Sequence, residues 1–173
     1  VVSAGFLVEQ NEAAGAHFRA DLKVHDASLE VAGADTVTTV GGTLAYADGR
    51  LELERLDGRW MGARVGVRDG ELDLAARTVH GLTLAASGLP AWIVREFSGA
   101  DLPSLDGELS MTARLSGRMD APTAMVTVSS ERFTVARLTF YNVAASGRYA
   151  DRVVEIDDVR ADVLGGSLEA RGV

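Results

Sequence analysis

The strongest pattern along the chain is alternation. Between Ala16 and His25, Ala16, Phe18, Ala20, Leu22 and Val24 take one side, and His17, Arg19, Asp21, Lys23 and His25 the other. Residues that change character at every step belong to a strand with one dry and one wet face. At about 3.3 Å per residue, this strand reaches roughly 33 Å. Glu108 to Ser116 repeats the pattern, with Leu109, Met111, Ala113 and Leu115 opposite Ser110, Thr112, Arg114 and Ser116. Shorter copies set Leu51 and Leu53 against Glu52 and Glu54, and Leu72 and Leu74 against Glu71 and Asp73. Val159, Ala161 and Val163 likewise face away from Arg160 and Asp162. Antiparallel sheet with one face in water gives this signature.

Between the alternating runs lie Asp48-Gly49, Asp57-Gly58, Asp69-Gly70, Asp106-Gly107 and Gly165-Gly166. Asp-Gly pairs tolerate the positive φ of tight hairpins, so this spacing predicts many short strands joined by turns. One stretch departs from period two. Pro90-Ala91-Trp92-Ile93-Val94-Arg95-Glu96-Phe97 reads as a short helix, with Pro90 in its first turn and Ile93 and Phe97 on one side. Ser98 to Asp106 reads as a loop, which suggests a division near residue 100. The chain also resembles itself. Shifted by 103 positions, Val40–Gly70 lies over Val143–Val173 without a gap, with Tyr46-Ala47-Asp48 on Tyr149-Ala150-Asp151 and Gly62 on Gly165. Apolar phase is kept across three successive strands, as in a stack of similar units. Residues 1–173 are therefore expected to form one β-rich segment, built of two units at about 1–99 and 100–173.

Composition narrows the function. Seventeen basic against 25 acidic residues give a net charge of −8, which argues against nucleic acid as a partner. There is no cysteine, so disulfides, thiolate metal sites and thiol nucleophiles are excluded. The mostly apolar stretch Leu84 to Val94 is too short for a membrane-spanning helix and contains Gly88 and Pro90. No targeting signal is visible, and the chain opens and closes within patterned sequence, so it reads as part of a longer protein. The histidines are His17, His25 and His80, and none has metal-binding spacing. There is no nucleophile elbow or phosphate-binding loop. Asp157-Asp158 and Glu52/Glu54 are carboxylate pairs, but acids are expected on a wet face. No catalytic residue, metal site or cofactor is assigned, and an enzyme is not expected.

The apolar face itself remains. It is either the closed core of a sandwich or the interior of an open, curled sheet that meets a hydrophobic ligand. An aliphatic lining offers dispersion contact without directional bonds, which suits an acyl chain. Alternation assigns Phe18, Leu22, Val24, Leu51, Leu53, Val65, Val67, Leu72, Leu74, Leu109, Met111, Leu115, Val126, Val128, Val154, Ile156 and Leu168 to this lining. Trp92, Ile93 and Phe97 on the short helix would plug or cap it.

Two motifs add a family resemblance. Gly107-Glu108-Leu109-Ser110-Met111-Thr112-Ala113-Arg114-Leu115-Ser116-Gly117, followed by Arg118-Met119-Asp120-Ala121-Pro122, resembles the repeating unit of TamB and other AsmA-like proteins. Val163-Leu164-Gly165-Gly166-Ser167-Leu168-Glu169-Ala170-Arg171-Gly172 is similar to the close of that unit. The likeness covers roughly residues 105–173, and more loosely 40–90. It implies an all-β, elongated antiparallel sheet curled into a trough, the β-taco. It further implies a periplasmic location in a protein anchored in the inner membrane, and a role in carrying phospholipid acyl chains for outer-membrane biogenesis. An outer-membrane barrel partner of the TamA type and neighbouring segments of the same chain are the implied protein partners. The alternative is an interaction module, a closed β-sandwich or β-solenoid, that binds no lipid. An outer-membrane barrel fits less well, because aromatics at 6% are too few for two girdles.

Overall fold

The structure is a computed structural model that describes residues 7–8, 19–29, 37–98, 103–151 and 153–172. Among the described residues eleven strands form one sheet: β1 (Leu7–Val8), β2 (Arg19–Leu29), β3 (Val37–Ala47), β4 (Arg50–Trp60), β5 (Ala63–Asp73), β6 (Thr78–Pro90), β7 (Leu105–Arg118), β8 (Ala121–Val135), β9 (Leu138–Ala150), β10 (Val153–Val163) and β11 (Gly166–Arg171). Among the described residues a single helix, α1 (Ile93–Ser98), lies between β6 and β7. Each strand pairs antiparallel with its neighbours in sequence, so the sheet order is the chain order. The molecule is all-β, an elongated antiparallel sheet curled into an open trough. β8, the longest strand, has 15 residues and reaches about 50 Å.

The strands are longer than the Asp-Gly spacing predicts. Asp48-Gly49 does turn the chain between β3 and β4, with φ of 47° and 82°. Asp57-Gly58 lies inside β4, Asp69-Gly70 inside β5 and Asp106-Gly107 inside β7. Gly107, with φ 124°, borders a register slip between β7 and β8, and Asp69, with φ 51°, marks a change of phase within β5 that leaves its register with β4 and β6 unchanged. The helix is also shorter than expected. Pro90 ends β6, paired with Glu108, and α1 begins at Ile93. Nor does the loop after it divide the molecule, because β6 pairs with β7 from Thr78–Arg118 to Pro90–Glu108. The expected strand from Ala16 is described from Arg19 onward, and it runs past His25 to Leu29.

The internal resemblance has a structural counterpart. Ends of β3, β4 and β5 at Ala47, Arg50, Trp60 and Ala63 lie 103 positions before Ala150, Val153, Val163 and Gly166 in β9 to β11. The irregularities repeat as well. β3–β4 slips register between the pairs Thr43–Arg55 and Leu44–Leu53, and β9–β10 slips between Ser146–Asp158 and Gly147–Ile156. A second slip, Thr38–Arg59 to Gly41–Asp57, recurs at Tyr141–Asp162 and Ala144–Arg160.

Bulges keep one face apolar even where the spacing is odd. Leu56 pairs with Val67, Val67 with Leu84, and Leu84 with Ala113. Leu51 pairs with Leu72, Leu72 with Val79, and Val79 with Gly117. Ala113 and Gly117 share a face of β7, which pairs regularly with β8 through this stretch, so both rows lie on one side of the sheet. Leu53 and Leu56 are three residues apart, Val79 and Leu82 three apart, yet each pair faces the same way. Left-handed backbone at Asp69 and Gly81, with φ of 51° and 63°, marks where the phase is reset.

Candidate functional site: the apolar face and its capped end

The site is built from cross-strand rows. Met111 of β7 stands between Ala86 and Val128, and Leu115 between Leu82 and Ala124. Val65 pairs with Ala86 and Val126 with Gly147, so the apolar surface passes unbroken from β4 to β9. Leu53 and Leu109 are buried, whereas Leu51, Val65, Val67, Leu72, Met111, Leu115, Val126 and Val128 are half-buried. Among the described residues no large side chain is fully buried. Half-burial is what an apolar row retains when one sheet lies beneath it and nothing comparable lies above.

At one end the face is covered. Ala63, Leu89, Ala91, Ile93 and Leu109 form a buried cluster, and Trp60, Ala86, Leu105, Met111, Val128 and Phe133 pack against it. Side chains from five strands, β4 to β8, therefore converge on the segment that carries α1. Ile93 is the helix's anchor, 6% exposed. Its neighbour Trp92 is 44% exposed and so does not plug the face as expected. Phe97 lies within α1, but its side chain is outside the described residues. The helix is fastened by Ala91 N–H donating to the Gly107 carbonyl at 2.9 Å. A buried hydroxyl is satisfied nearby: Ser130 Oγ donates to the Glu108 carbonyl at 2.7 Å.

At the other end the face is open. Val154 continues the row of Tyr149, and Ile156 that of Gly147, yet they are 69% and 52% exposed. Leu168 pairs with Ala161 and is 40% exposed. On the opposite edge, Leu22 pairs with Leu44 and Val24 with Gly42, positions that continue to Leu53 and Leu56. Phe18 lies outside the described residues. Leu74 does not join the lining. β5 ends at Asp73, and Leu74 sits in the following turn, 47% exposed, with its N–H bonded to the Gly49 carbonyl at 2.9 Å.

The lining assigned from alternation omitted Leu56, Val79, Leu82 and Leu84, which lie on the same face. The signal was present: Asp69-Gly70 and Gly81 interrupt the phase, and apolar residues on either side resume it at odd spacing.

The reverse face is hydrophilic, with exposed ion pairs such as Arg50–Glu71 at 3.6 Å and Arg160–Asp158 at 3.0 Å. Pairs this exposed add little to stability. Among the described residues no group of three His, Asp or Glu side chains is placed to hold a metal ion. Fold and site thus define a class: an open all-β sheet whose continuous apolar face, among the described residues, is covered at one end by the α1 segment. Compared with family models, curated proteins and solved structures, the chain matches none of them.

Proposed function

We propose that this chain is a periplasmic segment of a TamB/AsmA-like protein and that its apolar face holds phospholipid acyl chains on their way to the outer membrane. The observation that supports this reading is the uncovered apolar surface. It crosses most of an eleven-stranded sheet, it is aliphatic, and among the described residues the α1 segment covers just one end of it. Large contiguous apolar surface on a folded protein marks an interaction site. Burial recovers about 0.8 kcal/mol per methylene, so a sixteen-carbon chain gains on the order of 10 kcal/mol, spread over many weak contacts. Contacts of that kind hold a chain out of water and still let it slide. The hydroxyl and charged residues on the reverse face keep that surface in water, so the headgroup stays at the margin of the trough. An outer-membrane barrel of the TamA type is the protein partner that the family resemblance suggests.

Native mass spectrometry with lipid extraction tests the proposal. Phospholipid is expected to co-purify with the chain and to be lost in Leu115→Asp, which places a carboxylate in mid-row where desolvation opposes it. A chain that stays lipid-free after incubation with phospholipid, or a folded Leu115→Asp variant with full lipid occupancy, overturns it. In that case the function lies in protein contact, as an interaction module without lipid.

A further inference from the structure

The turns of the sheet divide by rim. Strands pair in chain order, so successive turns alternate between the two ends of the strands. Among the described residues one rim carries an acid in or beside each turn: Asp48, Asp73, Asp120 and Asp151. The other rim, that of α1, carries the turns Met61-Gly62, Ala136-Arg137 and Leu164-Gly165. Its tips are apolar. Met61, Trp92, Val94, Leu138 and Leu164 are all exposed, Leu164 at 90%.

Local chemistry opposes these side chains. Met61, Ala136 and Leu164 have φ of 51°, 55° and 51°, left-handed backbone that Asn, Asp or Gly adopts at less cost. Asp48 and Asp151, at φ 47° and 52°, follow that preference on the opposite rim. Met61 and Leu164 are 103 positions apart, as are Asp48 and Asp151. Each unit of the internal resemblance therefore sets Asp at one rim and a large apolar residue at the other. The same departure made twice, against backbone preference and against exposure to water, indicates that these tips meet an apolar medium.

The arrangement of the tips identifies the medium. Neighbouring turns on this rim are two strand spacings apart, about 10 Å. Separate apolar points give a protein partner little contiguous surface, and a stable interface needs about 800 Å² on each side. A fluid bilayer closes around each point. Trp92, on the same rim, is the residue type that settles at the headgroup level of a membrane. Charge fits as well. Arg59 lies opposite Arg64, each two residues behind the Met61-Gly62 tip and so about 7 Å from it, and Arg137 is in the β8–β9 turn. None of the three forms an ion pair among the described residues. Carboxylates on this half of the hydrophilic face, Asp106, Glu108 and Glu131, line a hollow there and pair with none of them. Apolar side chains that insert about 5–10 Å bring arginines at this depth to the lipid phosphates.

We propose that the α1 rim docks on a phospholipid bilayer, with Met61, Trp92 and Leu164 inserted at its surface and Arg59, Arg64 and Arg137 at the phosphates. This contact is made by the ends of the strands and does not rest on what the trough holds. The test is flotation of the folded chain with vesicles of phosphatidylethanolamine and phosphatidylglycerol. Binding is expected, weakened about tenfold in Met61→Asn and in Leu164→Asn, further in the double variant, and unchanged in Asp151→Asn on the opposite rim. Asn suits left-handed backbone, so these variants are expected to keep the wild-type Tm, and weaker binding then reports the missing apolar tips. Trp92 fluorescence should shift to the blue with vesicles, and the shift should be absent in Trp92→Phe. Leu115→Asp, which tests the trough, is expected to float as the wild type does, so the two readings fail separately. Absence of flotation overturns the proposal, as does undiminished flotation of the double variant. Flotation lost in Leu115→Asp but kept in the double variant assigns vesicle binding to the trough face and overturns it too. Self-association that the double variant abolishes, without vesicle binding, likewise overturns it and gives the tips to a second copy of the chain.

Discussion

Leu82 and Gly70 show how closely single residues are matched where the sheet changes phase. A Cβ added to Gly70 would stand 2.7 Å from the Leu82 Cα, main chain that cannot rotate away. Gly70→Ala is therefore expected to destabilise by about 2–3 kcal/mol, seen as a Tm lower by roughly 5–10 °C. An unchanged Tm would mean that β5 and β6 part at this point. A second residue-scale prediction concerns the hairpin between β7 and β8. Arg118 Nε and Nη2 donate to Asp120 at 2.9 and 2.7 Å, and these bonds hold the Asp120 carboxyl below its ordinary pKa. A depressed carboxylate adds stability above its unfolded pKa and loses it as pH falls through the folded value, and here solvent exposure keeps that contribution small. In Arg118→Gln the Asp120 resonance is expected to titrate at higher pH by NMR. Leu74 shows the limit of reading at this scale. Its alternation with Leu72 was clear, but nothing local announced that the strand would stop at Asp73 and that the Gly49 carbonyl would take the Leu74 N–H.

At the scale of elements, alternation located the strands well because each has one wet face. Glu108 to Ser116 falls within β7, and the Leu51, Leu53 pattern within β4. It misjudged their length, because Asp-Gly serves both hairpins and bulges and only the partner strand decides between them. The helix was legible as a break in period two, but its role was not. Ile93 is held by Ala63, Leu89 and Leu109, residues up to thirty positions away that sequence spacing does not connect. Ile93→Ala is expected to cost about 2–3 kcal/mol, the lower part of the range for a buried aliphatic truncated to alanine. Hydrogen exchange should locate the loss. The amides of Val94 and Arg95, bonded to the Ala91 and Trp92 carbonyls, should exchange faster, and β9 to β11 should keep their protection. Uniform acceleration across the sheet would mean that α1 stabilises the whole molecule and is no local cap.

The whole molecule poses the problem of its edges. Every strand is paired in chain order and β11 comes last, so among the described residues one side of β11 has no strand beside it. All six of its residues are exposed. β5 occupies the equivalent place 103 positions earlier and is covered there by β6, paired from Arg64–Ser87 to Asp73–Thr78. The sheet's own architecture thus indicates what this edge accepts, a further antiparallel strand with apolar residues on the trough side. Exposed edges with apolar neighbours such as Val154, Ile156 and Leu168 recruit other chains unless charge or a bulge prevents it. In this segment neither does: Glu169 and Arg171 project to the hydrophilic face, and the β10–β11 pairing is regular from Asp158–Arg171 to Val163–Gly166. The isolated chain is therefore expected to associate through β11 as concentration rises. Leu168→Lys, which puts a charge on the apolar side of that edge, should shift the equilibrium back toward monomer. Sedimentation equilibrium on both proteins decides the matter. A wild-type chain that stays monomeric over a hundredfold range of concentration, or one whose association Leu168→Lys leaves unchanged, would mean that β11 is not the surface on which this sheet is extended.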